Sequence, residues 1–177
     1  MKASMFLVVL LALVGCKSKK EVAEEVKRPS MEIPAEYTGE KKWTVVKPEL
    51  VKLTLLAVST GACYGECPIY DLNISQTGMV SLNAKKFMPM QGVHQTQLSK
   101  EQLEELKGKI ADLEYMKLED VYDNPQVTDV PTTKLFFNTG EPKEMKVRMG
   151  APDGVKEFMN WLYPFITDLK YDKLEVE

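Results

Sequence analysis

The densest concentration of reactive side chains in this sequence is Gly61-Ala62-Cys63-Tyr64-Gly65-Glu66-Cys67-Pro68-Ile69-Tyr70, which sets two thiols four positions apart. Two cysteine sulfurs at that spacing can close a disulfide, exchange electrons as a dithiol, or offer soft thiolate ligands to a metal. A fourth use ignores the sulfur. Tyr64 and Glu66 project from a loop that a bridge would stiffen, and Tyr70 lies just beyond it. Aromatic area beside a charge is what a recognition surface offers to a protein or a small ligand.

The redox signature places two residues between its cysteines, commonly near a βαβ unit, whereas three intervene here and Pro68 follows. A metal centre would need more donors, and His94, Met88 and Met90 are the residues that could complete a Cu(I) site with Cys63 and Cys67. Cys-x-x-x-Cys-Pro is similar to the metal motif of membrane-tethered copper-delivery proteins for cytochrome oxidase, and the similarity ends at the motif. Those proteins have a thioredoxin-like fold and a His much later in the chain, while His94 is 27 residues beyond Cys67. The reading adopted is a disulfide that pins a connection between two strands, with copper-binding or thiol-redox use of the pair as the alternative. Closure of a five-residue ring contributes about 2 kcal/mol on the chain-entropy estimate, and Gly65 supplies the backbone freedom that so tight a ring requires.

A disulfide needs an oxidising compartment, and the start of the chain speaks to that. Met5 to Val14 is an apolar run preceded by Lys2 and closed by Gly15-Cys16. It is about half the length of a bilayer-spanning helix and fits the core of a signal peptide. Leu13-Val14-Gly15-Cys16 resembles a bacterial lipobox, which implies cleavage before Cys16, a diacylglycerol thioether on its sulfur and fatty acylation of the palmitate type on its new amino group. Two or more acyl chains anchor stably where one is marginal. Lys17, where inner-membrane retention would use Asp, favours the outer membrane by the same resemblance, without choosing between its periplasmic and surface faces.

Residues 1–15 are therefore expected to be a removed signal peptide, and residues 16–42 a lipidated Cys followed by a tether of Lys, Glu, Pro and small residues. Fully extended, Lys17 to Lys42 could reach about 85 to 95 Å. Residues 43–177 form the domain. Cleavage removes only Lys2 among the charged residues, leaving 22 Lys and Arg against 26 Asp and Glu over 162 residues. That mild acidity argues against a nucleic-acid binder, which shows a basic patch or stripe.

The elements that must position the cysteine loop are legible as alternation. Val51 to Leu55 reads as a strand in which Leu53, Leu55 and Ala57 share one face. Tyr70, Leu72 and Ile74 alternate with Asp71, Asn73 and Ser75, then Gln76-Thr77-Gly78 turns the chain into Val80, Leu82 and Ala84 as a hairpin. Val93 to Leu98 is extended. Ser99 with Gln102 makes a capping box ahead of a helix whose apolar positions are Leu103, Leu106, Ile110 and Leu113. Glu119 to Pro131 reads as a long loop, Thr133 to Asn138 and Lys143 to Met149 as a second hairpin, and Val155 to Leu169 as a helix that Pro164 should bend. The expected fold is a single α+β domain: a mainly antiparallel β-sheet with two helices packed on one face.

At Gly61, Cys63, Gly65, Cys67-Pro68 and Tyr70, followed by Gly78, Leu98-Ser99 and Asp129-Val130-Pro131-Thr132-Thr133, the chain resembles a family of exported bacterial proteins known as domain of unknown function 6438 (DUF6438). The resemblance covers roughly residues 50 to 168 and implies the compartment and the fold, with no activity attached. Elsewhere the chemistry is thin. Asp120, Asp123, Asn124 and Asp129 lack the spacing of a regular calcium loop and read as turn residues, and no nucleophile or carboxylate is set beside His94 by a motif. No cofactor is expected, and the chain does not read as an enzyme. It reads as an exported, lipid-anchored envelope protein, a binding or interaction module for an envelope protein or a small ligand.

Overall fold

Apolar alternation over seven or eight residues, interrupted by one glycine turn, produces the first hairpin of the computed structural model, which describes residues 45–173. The signal peptide, Cys16, the tether and Trp43 lie outside the described residues. Strand β1 is Thr54–Thr60, β2 Ile69–Ser75, β3 Met79–Lys86 and β4 Gly92–Gln97, followed by helix α1, Lys100–Asp112. Then come β5, Val121–Tyr122, β6, Thr133–Asn138, β7, Pro142–Val147, helix α2, Asp153–Thr167, and β8, Asp172–Lys173. They form one sheet in the order β5-β7-β6-β1-β2-β3-β4-β8, antiparallel throughout except where β5 runs parallel to β7. The fold is α+β, as expected.

The register assigns the two faces. Val58, Leu72 and Leu82 are successive partners across β1, β2 and β3, and Leu135 and Met145 continue the row through β6 and β7. That face meets the helices. Leu106 and Ile110 of α1 and Val155, Phe158, Leu162 and Ile166 of α2 fall on one stripe of each helix and join the same buried cluster. Each fully buried aliphatic side chain among them contributes roughly 1.5–3 kcal/mol. Aromatic contacts run through this layer: Phe137 stacks on Tyr115 at 5.1 Å and meets Phe158 edge-on at 5.6 Å, and Trp161 stacks on Phe165 at 4.7 Å.

Local chemistry fixes the ends. Ser99 Oγ accepts from the Gln102 amide while the Gln102 side chain accepts from the Ser99 amide, the expected capping box. Gly78 adopts φ 84°, a conformation that L side chains rarely take, so the β2–β3 turn favours glycine there. Beside it, Gln76 donates to the carbonyls of Thr54 and Asn138, and the Asn138 amide donates to Val51, tying the turn to the start of β1 and the end of β6.

Four details depart from the sequence expectation. The first strand begins at Thr54, and a bulge between Thr54 and Leu56 puts Leu55 and Leu56 both in the main core, leaving Leu53 exposed and Ala57 on the opposite face with Val46 and Phe136. A one-turn 3-10 helix, Tyr115–Lys117, precedes the expected loop, and the loop itself contains the two-residue strand β5, held by the amides of Lys146, Arg148 and Met149 donating to the carbonyls of Asp120 and Tyr122. β8 adds a short partner to β4 that no alternation announces. Pro164 lies in the last turn of α2, which runs on to Thr167. No helix of the described residues is long and apolar enough to cross a membrane.

Tyr70 belongs to this core. It is 2 % exposed and faces Tyr163 at 6.4 Å. Burial first, and the Tyr163 phenol second, push its pKa from 10.0 up to about 12. Below pH 10 both folded and unfolded chains keep the proton and the contribution is complete. Between pH 10 and about 12 only the unfolded chain releases it, so stability falls by about 1.4 kcal/mol per pH unit. Urea unfolding at pH 9, 10 and 11 should show that fall, with Tyr70→Phe flattening it and burial-raised Tyr171 retaining a remainder. An unchanged alkaline slope in the Phe variant would contradict the assignment.

Candidate functional site

The connection from β1 to β2 is closed at its neck by one hydroxyl. Thr60 Oγ1 donates to the Pro68 carbonyl at 2.8 Å and accepts from the Tyr70 amide at 2.9 Å. Beyond the neck, Cys63 and Cys67 are joined by a disulfide across Cα atoms 5.9 Å apart. A second loop braces the first. The Gly61 amide donates to the Thr132 carbonyl at 2.8 Å and the Tyr64 amide to the Asp129 carbonyl at 3.2 Å. A Cβ at Gly61 would stand 3.3 Å from Thr132 oxygen, so a larger residue would push the loops apart. The two segments Gly61–Tyr70 and Asp129–Thr133, far apart in sequence, are thus one structural unit.

What that unit presents is Tyr64, whose side chain is 90 % exposed, beside the exposed Gly65 and Glu66. The expected recognition set is only partly assembled. Tyr64 and Glu66 share the loop tip, whereas Tyr70 points into the helix-covered core and cannot join them. The correction has a simple origin: Tyr70 is the first buried position in the alternation of β2, ahead of Leu72 and Ile74.

The Cu(I) donor set is not brought together either. The two sulfurs are bonded to each other, which removes both thiolates. His94 sits on the core-facing side of β4, paired with Leu82, and is 8 % exposed. Its Nε2 lies 3.0 Å from the Gln91 carbonyl, which can only accept, so that nitrogen carries the proton and donates. Its ring meets Tyr171 edge-on at 5.8 Å. Met88 is part of the main core and Met90 packs against it. Groups of three or more His, Cys, Asp or Glu side chains able to hold a metal are absent among the described residues.

The acidic loop residues are engaged with cations of the protein itself. Asp120 pairs with Lys143 at 3.2 Å, and Asp123 pairs with Arg148 at 2.5 Å and Lys146 at 3.3 Å. The Arg148 hydrogen bond holds the Asp123 carboxyl below the usual range. These contacts dock β5 and its loop onto β7. Alternation could not reveal the brace from Asp129 to Tyr64, because it depends on backbone carbonyls and on a left-handed Asp129, φ 28°. The clue in the sequence was the joint presence of the two motif segments.

With both cysteines replaced by serine, the loop loses its covalent closure and the domain should lose about 2 kcal/mol in denaturant unfolding. Thiol titration of the folded wild-type domain should find Cys63 and Cys67 unreactive until reductant is added. Equal stability together with freely titrating thiols would show that the pair is not closed in the native protein.

No curated protein matches the chain. The family model described as Domain of unknown function (DUF6438) matches residues 54–169, from the first residue of β1 to just beyond α2. That span takes in the whole sheet core, both helices, the cysteine loop and the Asp129–Thr133 brace. The chain belongs to the DUF6438 family.

Proposed function

We propose that the protein is an exported, lipid-anchored component of the cell envelope whose DUF6438 domain works as a non-enzymatic binding module, offering the Cys63–Cys67 loop to a protein partner. The observation that carries this reading is Tyr64, a large aromatic side chain left 90 % exposed on a loop that is held at its neck, across its middle and along one side. An aromatic ring on a flexible loop gives up much of its binding energy to ordering; on a braced loop that cost is met during folding. Tyr is also enriched among the residues that dominate protein interfaces. A projecting tip inserts into a partner's pocket more readily than it surrounds a small molecule, so an envelope protein is the preferred partner class. Glu66 adds a charge that restricts the choice of partner.

Anchoring rests on the apolar run ending at Leu13-Val14-Gly15-Cys16, and outer-membrane sorting on Lys17. Anchor and module are tested in the same cells. Full-length protein carrying a photo-crosslinking phenylalanine at position 64 should give a discrete adduct that is absent when the probe is placed at Lys156 on α2, and that weakens when Cys63 and Cys67 are both serine. Wild-type chain should incorporate labelled palmitate and sediment with membranes, whereas Cys16→Ser should accumulate as an unlabelled precursor. Adducts equal at positions 64 and 156 would sink the recognition reading; unchanged labelling of the Cys16 variant would sink the anchor.

A further inference from the structure

The face of the sheet turned away from the helices carries a second surface. Register sets its side chains in two rungs: Lys134, Ser59, Asp71 and Asn83 across β6, β1, β2 and β3, and next to them Ala57, Asn73 and Ser81 across β1 to β3. Neighbours within a rung stand about 4.8 Å apart and the rungs about 6.7 Å apart, as strand geometry requires. The start of the described chain forms one wall: Val45 donates its amide to Glu144, and Val46 packs on Ala57 and Phe136. Between wall and strands lies a hollow of about 380 Å³, within the size range of small-ligand sites.

The composition of these rungs is costly for strands. Asp and Asn are depleted in β-structure, yet three of them and two serines stand side by side on β1, β2 and β3, in the middle of the sheet order. A wet face needs only solubility, which β-branched Thr or longer charged residues supply with better strand propensity. Part of the row is also held in place. Ser59 Oγ donates to Asp71 at 2.7 Å, Lys85 pairs with the other Asp71 oxygen at 2.6 Å, and Asn73 donates to Thr54 at 3.2 Å. Ser81 and Asn83 face the same hollow.

These features select a ligand by exclusion and by fit. Asp71 pairs with Lys85, and among the described residues Lys134 is the other charge lining the hollow, so neither a polyanion nor a polycation meets a strong field from them. Among the described residues, the side chains at the hollow include no aromatic anchor for a protein partner. What remains is an array of amides, hydroxyls and one carboxylate, each able to accept and most able to donate, at fixed spacing. We propose that this face binds a neutral saccharide, with the Asn83 and Asn73 amides, Ser81 and the free lone pairs of Asp71 taking its hydroxyl groups. The inference is independent of the Tyr64 loop, which lies beyond the ends of these strands.

The test is calorimetric titration of the full-length protein in detergent with neutral oligomers of hexose and of N-acetylhexosamine, with inorganic phosphate as the charged control. With short polar groups as its contacts, a dissociation constant on the order of 1 mM is expected for at least one neutral oligomer. Asn83→Leu should weaken it about tenfold without lowering the unfolding midpoint, Asp71→Asn should weaken it at preserved shape, and Tyr64→Ala should leave it unchanged. Absence of binding to every neutral oligomer at several times that concentration, binding indifferent to Asn83→Leu and Asp71→Asn, or binding of phosphate alone would overturn the proposal. Loss of binding in Tyr64→Ala alone would assign the saccharide to the loop instead.

Discussion

Strand β1 is buried on both of its faces, and nearly every other feature depends on its position. Leu56 and Val58 meet the helix layer, Ala57 packs beneath Val46 and Phe136, and the bulge before Leu56 adds Leu55 to the main core. The strand pairs with β2 on one side and β6 on the other, so the strand ladder passes from one hairpin to the other through it. Such a strand cannot slip: a shift of one residue would exchange Val58 for Ala57 and drive polar Ser59 against the helices. Its lower end is fixed by the Gln76 and Asn138 side chains, and its upper end at Thr60 opens directly into the cysteine loop.

That arrangement explains which parts of the molecule alternation revealed. β2, β3 and the two helices each have one wet and one dry face, and a period of two or 3.6 marks them clearly, whereas β6 is buried on both faces from Leu135 to Asn138 and is marked by its aromatic composition instead. β1 has no wet face in its first half, so period two fails there and Leu53 was placed with Leu55 and Ala57. β5 and β8 are two-residue strands held by backbone hydrogen bonds and ion pairs such as Arg148 with Asp123, and two residues cannot carry a period. At the cysteine loop the covalent pair was readable from the spacing of Cys63 and Cys67. The brace from Asp129 was not, since any residue offers a carbonyl. Tyr70 and His94 are residue types that can bind or catalyse, and each is also consistent with a packed position; the alternation of β2 and the register of β4 place both inside.

The magnitude of the disulfide clarifies its role. Closing a five-residue ring contributes about 2 kcal/mol, comparable to one buried leucine, whereas the main core holds more than twenty buried side chains. Such a bridge adds little to a sheet already fixed by β1. Its effect is local. Thr60 closes the neck whether or not the sulfurs are joined, Thr132 and Asp129 hold one side, and the disulfide spans the loop between Cys63 and Cys67. The covalent bond therefore closes a segment that a single backbone hydrogen bond, from Tyr64 to Asp129, otherwise holds on one side, and that segment carries Tyr64 and Glu66.

The polar face and the cysteine loop are both consequences of β1 emerging between its neighbours, yet they suit different chemistry. At the loop a convex tip presents one large ring, which gains most by entering a pocket and excluding water. On the sheet face the groups are short, fixed and hydrogen-bonding, so exchange of their water for ligand hydroxyls is nearly balanced, and any net affinity comes from how little the row must rearrange. Rigidity serves both surfaces, but only the loop depends on the disulfide for it. Reduction of the Cys63–Cys67 bond would loosen the aromatic tip while leaving the register of Ser59, Asp71 and Asn83 intact, because that register is set by the packing of Val58, Leu72 and Leu82 on the opposite face.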